Sequence, residues 1–105
     1  MANKVIKARA EQIRQWFDAV DPSNIEHRRH LKRAAHMIWE YQTRQEQDTE
    51  TTHELNGVGF SGRDADFGSR IATWRGDITE RMAGGAKKMM RKYAMQLAKI
   101  KEGKQ

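Results

Sequence analysis

The residues most suggestive of ligand chemistry form a glycine-rich run at positions 56–62, Asn-Gly-Val-Gly-Phe-Ser-Gly. Its spacing matches the G-x-G-x-x-G pattern, which presents backbone amides to a dinucleotide pyrophosphate when a buried strand precedes it. Residues 51–55 do not resemble such a strand, and no Gly-Lys-Ser/Thr follows, so neither a dinucleotide site nor a Walker loop is indicated. Two interpretations stay open: a connector in which Phe60 fills the core, and a turn whose amides hold one nucleic-acid phosphate. The residues that would contact this phosphate are Gly57, Gly59, Ser61 and Gly62.

Histidines and carboxylates are the other residue types that could do chemistry. His27 and His30 lie three apart, a spacing that two metal ligands on a helix can use, but the flanking arginines would repel a cation. Asp64 and Asp66 lie two apart and cannot share a helical face, so helix capping explains them better than acid–base catalysis. The chain has no cysteine and no recognisable catalytic triad. We therefore expect a protein that is not an enzyme and holds no metal or cofactor.

Charge is unevenly distributed along the chain. Its 105 residues carry a formal net charge of +6. Residues 1–74 hold equal numbers of basic and acidic side chains, whereas residues 75–105 hold nine basic and three acidic ones. A concentrated basic segment attracts polyanions more strongly than a diluted one. No apolar run has the length of a membrane span or a signal peptide, so we expect a cytoplasmic protein without a membrane partner.

Apolar periodicity predicts the elements that position these residues. We expect a single all-α domain of four helices over residues 3–19, 24–45, 63–75 and 77–101. A helical hairpin would occupy 1–47, a polar linker and the glycine-rich turn 48–62, a second helical pair 63–101, and a tail 102–105. Ser23 and Glu26 form a capping-box pattern ahead of the second helix. The predicted core comprises Trp16, Phe17, Leu31, Ile38, Phe67, Ile71, Trp74, Met89, Tyr93 and Leu97.

The last predicted helix places its basic residues on one side. On a helical wheel, the apolar stripe spans one face, and the basic side chains lie together on the outward one. No acidic residue lies between Arg81 and Lys101. The predicted nucleic-acid-binding residues on this helix are Lys87, Lys88, Arg91, Lys92 and Lys99. Arg28, Arg29 and Arg33 on the second helix form a predicted second surface.

Residues 56–98 also carry a recognisable string. It comprises Asn56-Gly57-Val58-Gly59-Phe60, Gly62, Asp64-Ala65, Phe67-Gly68 and Ile71-Ala72, followed by Lys88-Met89-Met90, Lys92-Tyr93 and Gln96-Leu97. This string resembles an element of short phage and prophage proteins of DNA metabolism, found also near the ends of helicase- and recombination-type proteins. The resemblance implies a role in phage DNA metabolism in the host cytosol and supplies no catalytic residues. Gly84-Gly85 departs from the pattern, which has a good helix former there.

These observations predict a non-enzymatic accessory protein that binds DNA or RNA through backbone phosphates. The alternative is a phage-encoded protein that binds and inhibits a host nucleic-acid enzyme or a defence complex, as anti-CRISPR or anti-restriction proteins do. A basic helix suits that alternative too, because it can occupy a site meant for DNA or dock on an acidic surface. A third interpretation is a structural homodimer that buries exposed Met and Trp side chains.

Overall fold

A computed structural model describes the backbone of residues 2–49 and 59–102, and the side chains of residues 4–41 and 59–101. This part of the chain contains no strand. It forms five helices: α1 (Ala2–Ala19), α2 (Ile25–Thr49), α3 (Ala65–Thr73), α4 (Glu80–Arg91) and α5 (Ala94–Glu102). The all-α prediction is confirmed, but the predicted fourth helix is two helices. Most of the predicted linker, residues 50–58, lies outside the described residues.

The predicted cap of α2 is displaced by one residue. Asn24 rather than Ser23 is the N-cap, because its Oδ1 accepts the amide hydrogens of Glu26 and His27 at 2.8 and 3.2 Å. Ser23 instead donates its amide and hydroxyl hydrogens to the Asp21 carboxylate at 3.0 and 2.8 Å. Asp21 and Ser23 therefore order the turn between α1 and α2, while Asn24 begins the helix.

A tight turn at Lys92 and Tyr93 separates α4 from α5. The amide of Lys92 donates to the carbonyl oxygen of Met89 at 3.1 Å, and that of Tyr93 to Met90 at 2.9 Å. Both bonds span three residues and so tighten the chain relative to an α-helix. The α-helical hydrogen-bond pattern is interrupted at this point, so residues 77–101 do not form one continuous α-helix.

The helices do not pack as two separate hairpins. The most extensive helix contacts are those of α1 with α5 and of α2 with α3. Near the turn between α1 and α2, the Trp16 ring contacts His27 and His30 of α2. Its centroid lies 6.2 Å from that of His27 and 5.8 Å from that of His30. The N-terminal helices are therefore held together largely through α4 and α5.

Most of the predicted core residues are buried, but the tryptophans are not. Phe17, Leu31, Ile38, Ile71, Met89, Tyr93 and Leu97 lie in the core, and Phe67 packs against its edge. Trp16 and Trp74 are 38% and 37% exposed, so placing them in the core was wrong. Both lie near helix ends, where an apolar stripe extends past the packed region. Ile78 and Met90, which the predicted core did not include, are fully buried.

A second, smaller cluster joins the N-terminal half of α1 to α5. Its buried members are Ile6 and Ala10 from α1 and Ala94 and Ala98 from α5. Three of the four are alanines, whose short side chains allow two helices to approach closely.

Two glycines lie close to phenylalanine rings, and at one of them a larger residue would clash. A Cβ atom on Gly68 of α3 would lie 2.7 Å from three atoms of the Phe60 ring, closer than van der Waals contact allows. A Cβ on Gly85 would lie 3.3 Å from Phe67, whereas one on Gly84 would meet nothing within 4 Å. α4 runs through Gly84-Gly85 without interruption, and Gly85 is the member of the pair that lies close to another side chain.

Candidate nucleic-acid interface

Hydrogen bonds join the described part of the glycine-rich turn to α5 and to the turn that precedes α5. The amide of Gly59, at a φ of 89°, donates to Gln96 Oε1 at 2.9 Å, and the Gln96 amide donates back to the Gly59 carbonyl at 3.1 Å. The amide of Ser61 donates to the Tyr93 hydroxyl at 2.9 Å. Phe60 between them is 3% exposed and meets the Tyr93 ring edge-on. Two of the amides predicted to hold a phosphate are thus already bonded, and Phe60 fills the core.

The Asp64 carboxylate belongs to the same network of hydrogen bonds. Its Oδ2 accepts hydrogen bonds from the Tyr93 hydroxyl at 2.7 Å and the Lys92 ammonium at 2.8 Å. Burial raises the pKa of Asp64, but the bonds from Lys92 and Tyr93 outweigh it, and the net pKa lies below the ordinary value. Burial also raises the pKa of the Tyr93 hydroxyl. Asp64 precedes α3 as its N-cap residue, yet its side chain makes no capping bond, because it is committed to these partners.

Three of the five cations predicted on the last helix are committed to partners within the fold. The Lys87 ammonium donates to the carbonyl oxygens of Asp18 and Val20 at 3.2 and 2.8 Å, at the C-terminal end of α1. Arg91 Nε donates to Asp18 Oδ1 at 2.9 Å, and Lys92 is paired with Asp64. Only Lys88 and Lys99 of this set are exposed without a hydrogen bond or ion pair among the described residues. The predicted continuous basic face is therefore interrupted both by the turn and by these bonds.

The arginines of the second predicted surface have different roles. Arg28 donates to the carbonyl oxygens of Ile78 and Pro22 at 2.8 and 3.0 Å and so links α2 to the segment before α4. Arg29 donates to both Asp77 carboxylate oxygens at 2.9 and 3.3 Å, and these bonds hold the pKa of Asp77 below its ordinary value. Arg33 is exposed and makes no hydrogen bond or ion pair to the described residues.

A concavity of about 450 Å³ gathers basic side chains of α2 against the turn after α3. We call it the basic pocket; its lining residues are Arg29, Lys32, Arg33, His36, Ala72, Gly76 and Asp77. Positions 29, 32, 33 and 36 recur at three- and four-residue steps and so share one helical face. Gly76, at a φ of 76°, makes the turn that brings Asp77 to the opposite side. Asp77 is the only acidic residue in this lining.

Sequence reasoning missed Lys32 and His36 as members of this surface. Lys32 lies inside the basic run that drew attention to Arg28, Arg29 and Arg33, and His36 follows at the helical repeat. The periodicity of charge along α2 could have identified both residues. The concavity itself could not be inferred, because it depends on where α3 packs.

His27 and His30, whose spacing two metal ligands could use, make other contacts in the structure. His27 Nδ1 accepts the amide hydrogen of Asp21 at 2.9 Å, so that nitrogen is engaged within the turn. His30 contacts the Trp16 ring edge-on. Among the side chains of residues 4–41 and 59–101, no group of three or more His, Asp or Glu is placed to hold a metal ion.

Comparisons with known proteins found no matching family model, no matching curated protein and no matching solved structure. The resemblance of residues 56–98 to phage proteins therefore stays a prediction. Among the described helices, none is both long enough and apolar enough to cross a membrane.

Proposed function

We propose that the protein is a non-enzymatic nucleic-acid-binding protein that contacts backbone phosphates at the basic pocket. The observation that supports this most directly is the set of four basic side chains of α2 around one concavity, in whose lining Asp77 is the one acidic residue. The phage DNA metabolism implied by the resemblance is a setting that such an activity fits.

The cations of the pocket differ in how readily they reach a phosphate. Lys32 and Arg33 make no hydrogen bond or ion pair to the described residues. The Asp77 carboxylate attracts the charge of Lys32, but no bonded partner has to be displaced from either side chain. Arg29 is hydrogen-bonded to Asp77 and lies 3.8 Å from a Glu26 carboxylate oxygen, so a phosphate would have to compete with both carboxylates. His36 lies 4.0 Å from Glu40 and adds charge only when protonated. Lys32 and Arg33 therefore carry the proposed contact.

The cations predicted on the last helix are less readily available to a phosphate than those of the basic pocket. Lys88 and Lys99 are free to bind, but they lie on different helices, separated by the turn at Lys92 and Tyr93. Lys87, Arg91 and Lys92 would have to leave partners in α1 or at Asp64 before binding a phosphate. A phosphate backbone thus finds more concentrated and more available charge on α2.

The test is a salt titration of binding to short duplex and single-stranded DNA, with two matched double variants. Lys32→Gln/Arg33→Gln should lower affinity for both and reduce the slope of log K against log salt by about 1.8 for duplex DNA, since each lost phosphate contact contributes about 0.9. Lys88→Gln/Lys99→Gln removes the same charge from exposed positions elsewhere and should change the slope little. Equal effects of the two variants would reject the basic pocket as the site. Failure of the unmodified protein to bind any nucleic acid at low salt would reject the function.

A further inference from the structure

A second concavity adjoins the basic pocket and differs from it in chemistry. It has a volume of about 390 Å³ and lies between α1, α2 and α5. We call it the apolar groove. Its walls include Ile13, Trp16, Met37 and Leu97, and its cationic members include Arg33 and Lys101. No acidic residue lies among its lining residues. Arg33 also lines the basic pocket, so the two concavities share one cation.

Trp16 supplies the exposed aromatic surface of the apolar groove. Its indole is 38% exposed, although three neighbouring rings hold it in place. Phe17 meets it edge-on at a centroid distance of 5.4 Å, His30 edge-on at 5.8 Å, and His27 at a tilt at 6.2 Å. An indole that is exposed and already ordered can receive a planar ligand with little loss of side-chain entropy.

Three features together suit a nucleotide whose base is unpaired. The apolar groove offers an aromatic surface, the basic pocket offers cations for phosphate, and Arg33 joins the two. Single-stranded nucleic acids are bound in this way, with the backbone in a basic groove and bases stacked on aromatic side chains. A base inside a duplex is already stacked between its neighbours and cannot enter a groove without leaving the helix.

We propose that the apolar groove binds an unpaired base of single-stranded nucleic acid by stacking on Trp16, while Arg33 contacts the adjoining phosphate. This inference rests on the proposed function and narrows its ligand to single strands. It requires that the unmodified protein prefer single-stranded to duplex DNA at equal salt. It also requires that the preference depend on Trp16 and on the presence of bases.

Trp74 provides a matched control for Trp16. It is 37% exposed, nearly the same as Trp16, but lies at the C-terminal end of α3 and does not line the groove. Trp16→Leu should lower affinity for a mixed-sequence single strand by about 5- to 140-fold, the range measured for loss of one base–aromatic stack. It should leave duplex affinity unchanged, and Trp16→Phe should restore part of the loss. Trp74→Leu should leave both affinities unchanged.

An abasic oligonucleotide, which keeps the phosphates and lacks the bases, tests the inference without altering the protein. The unmodified protein should bind the abasic strand as weakly as Trp16→Leu binds the normal strand, and Trp16→Leu should lose no further affinity for the abasic strand. If Trp16→Leu fails to fold, the comparison of abasic and normal strands on the unmodified protein still tests whether a base is bound, and equal binding would overturn the inference.

Equal binding of abasic and normal strands would overturn the stacking inference and leave the proposed function standing. Equal effects of Trp16→Leu and Trp74→Leu on single-strand affinity would also overturn it, as would a preference for duplex DNA. Two results together would show that the proposed function is correct and the stacking inference is wrong. Lys32→Gln/Arg33→Gln would lose all binding, and the unmodified protein would bind abasic and normal strands equally.

Discussion

Replacement of Gly68 by alanine tests the contact that fixes the glycine-rich turn. The added Cβ would lie 2.7 Å from three atoms of the Phe60 ring. The ring is 3% exposed and contacts Tyr93 at a centroid distance of 5.2 Å, so a shift of the ring would disturb the core packing around it. Overpacking of a core costs about 1–3 kcal/mol. Alanine gains about 1 kcal/mol over glycine within a helix. Because the contact is so short, we expect the upper part of the cost range and a net destabilisation of about 1–2 kcal/mol.

Gly84 offers the control for this change. It also lies within a helix, but a Cβ at that position would meet nothing within 4 Å. Gly84→Ala should therefore keep the helix-propensity gain alone and stabilise the protein by up to about 1 kcal/mol. The two substitutions add the same methyl group to glycines within α-helices, and the structure predicts opposite signs for them.

Thermal and urea unfolding followed by circular dichroism measure both effects. Each kcal/mol should shift Tm by about 4–8 °C for a domain of roughly this size. Phe60→Leu should relieve much of the penalty of Gly68→Ala in a double-mutant cycle, because the smaller side chain leaves room for the methyl group. The reasoning is refuted if Gly68→Ala raises Tm as much as Gly84→Ala, or if its penalty is the same with leucine at position 60.

Three further predictions concern the charged contacts. Asp64→Asn should destabilise the fold by roughly 1.5–3 kcal/mol at neutral pH, as expected for lost hydrogen bonds to a charged group. Since the folded-state pKa of Asp64 is lowered, its contribution is lost as the pH falls through that pKa. The Tm curves of variant and parent should therefore begin to approach each other below the ordinary carboxyl pKa of about 4 and meet only below the folded-state pKa. Asp77→Asn should free Arg29 for a phosphate and raise the salt slope of duplex binding by about 0.9; an unchanged slope would show that Arg29 does not reach the ligand. Lys87→Met removes the ammonium from the end of α1 and should lower Tm, with Lys88→Met as the unaffected control.

Much of the fold could be predicted from apolar spacing, and the division of the last helix could not. The helical periodicity of residues 77–101 continues across Lys92 and Tyr93, so nothing local marks the turn. The turn accompanies the contacts of Tyr93 and Gln96 with the glycine-rich segment more than 30 residues earlier, at sequence separations of 32 and 37. Such long-range bonds override a local pattern and are not visible in it.

The candidate site was predicted in part, for a related reason. The sequence showed where cations are concentrated, but it could not show which of them the fold uses. Lys87, Arg91 and Lys92 stabilise α1 and Asp64, whereas Arg33, in a segment without net charge excess, has no such contact. Formal charge along a chain thus differs from the charge available to a ligand.

The two ends of α1 differ in stability, because its N-terminal end is held by the alanine-rich cluster with α5 and its C-terminal end by the main core. Near Phe17, α1 is held by the main core and by bonds from Lys87 and Arg91. Near Ile6, it is held by a cluster in which three of four buried side chains are alanines, and each bears a single methyl group. Local opening costs least where little apolar surface is buried. Amide hydrogens in the first turns of α1 should therefore exchange with solvent through partial detachment of that end, while those near Phe17 exchange only when the whole domain unfolds.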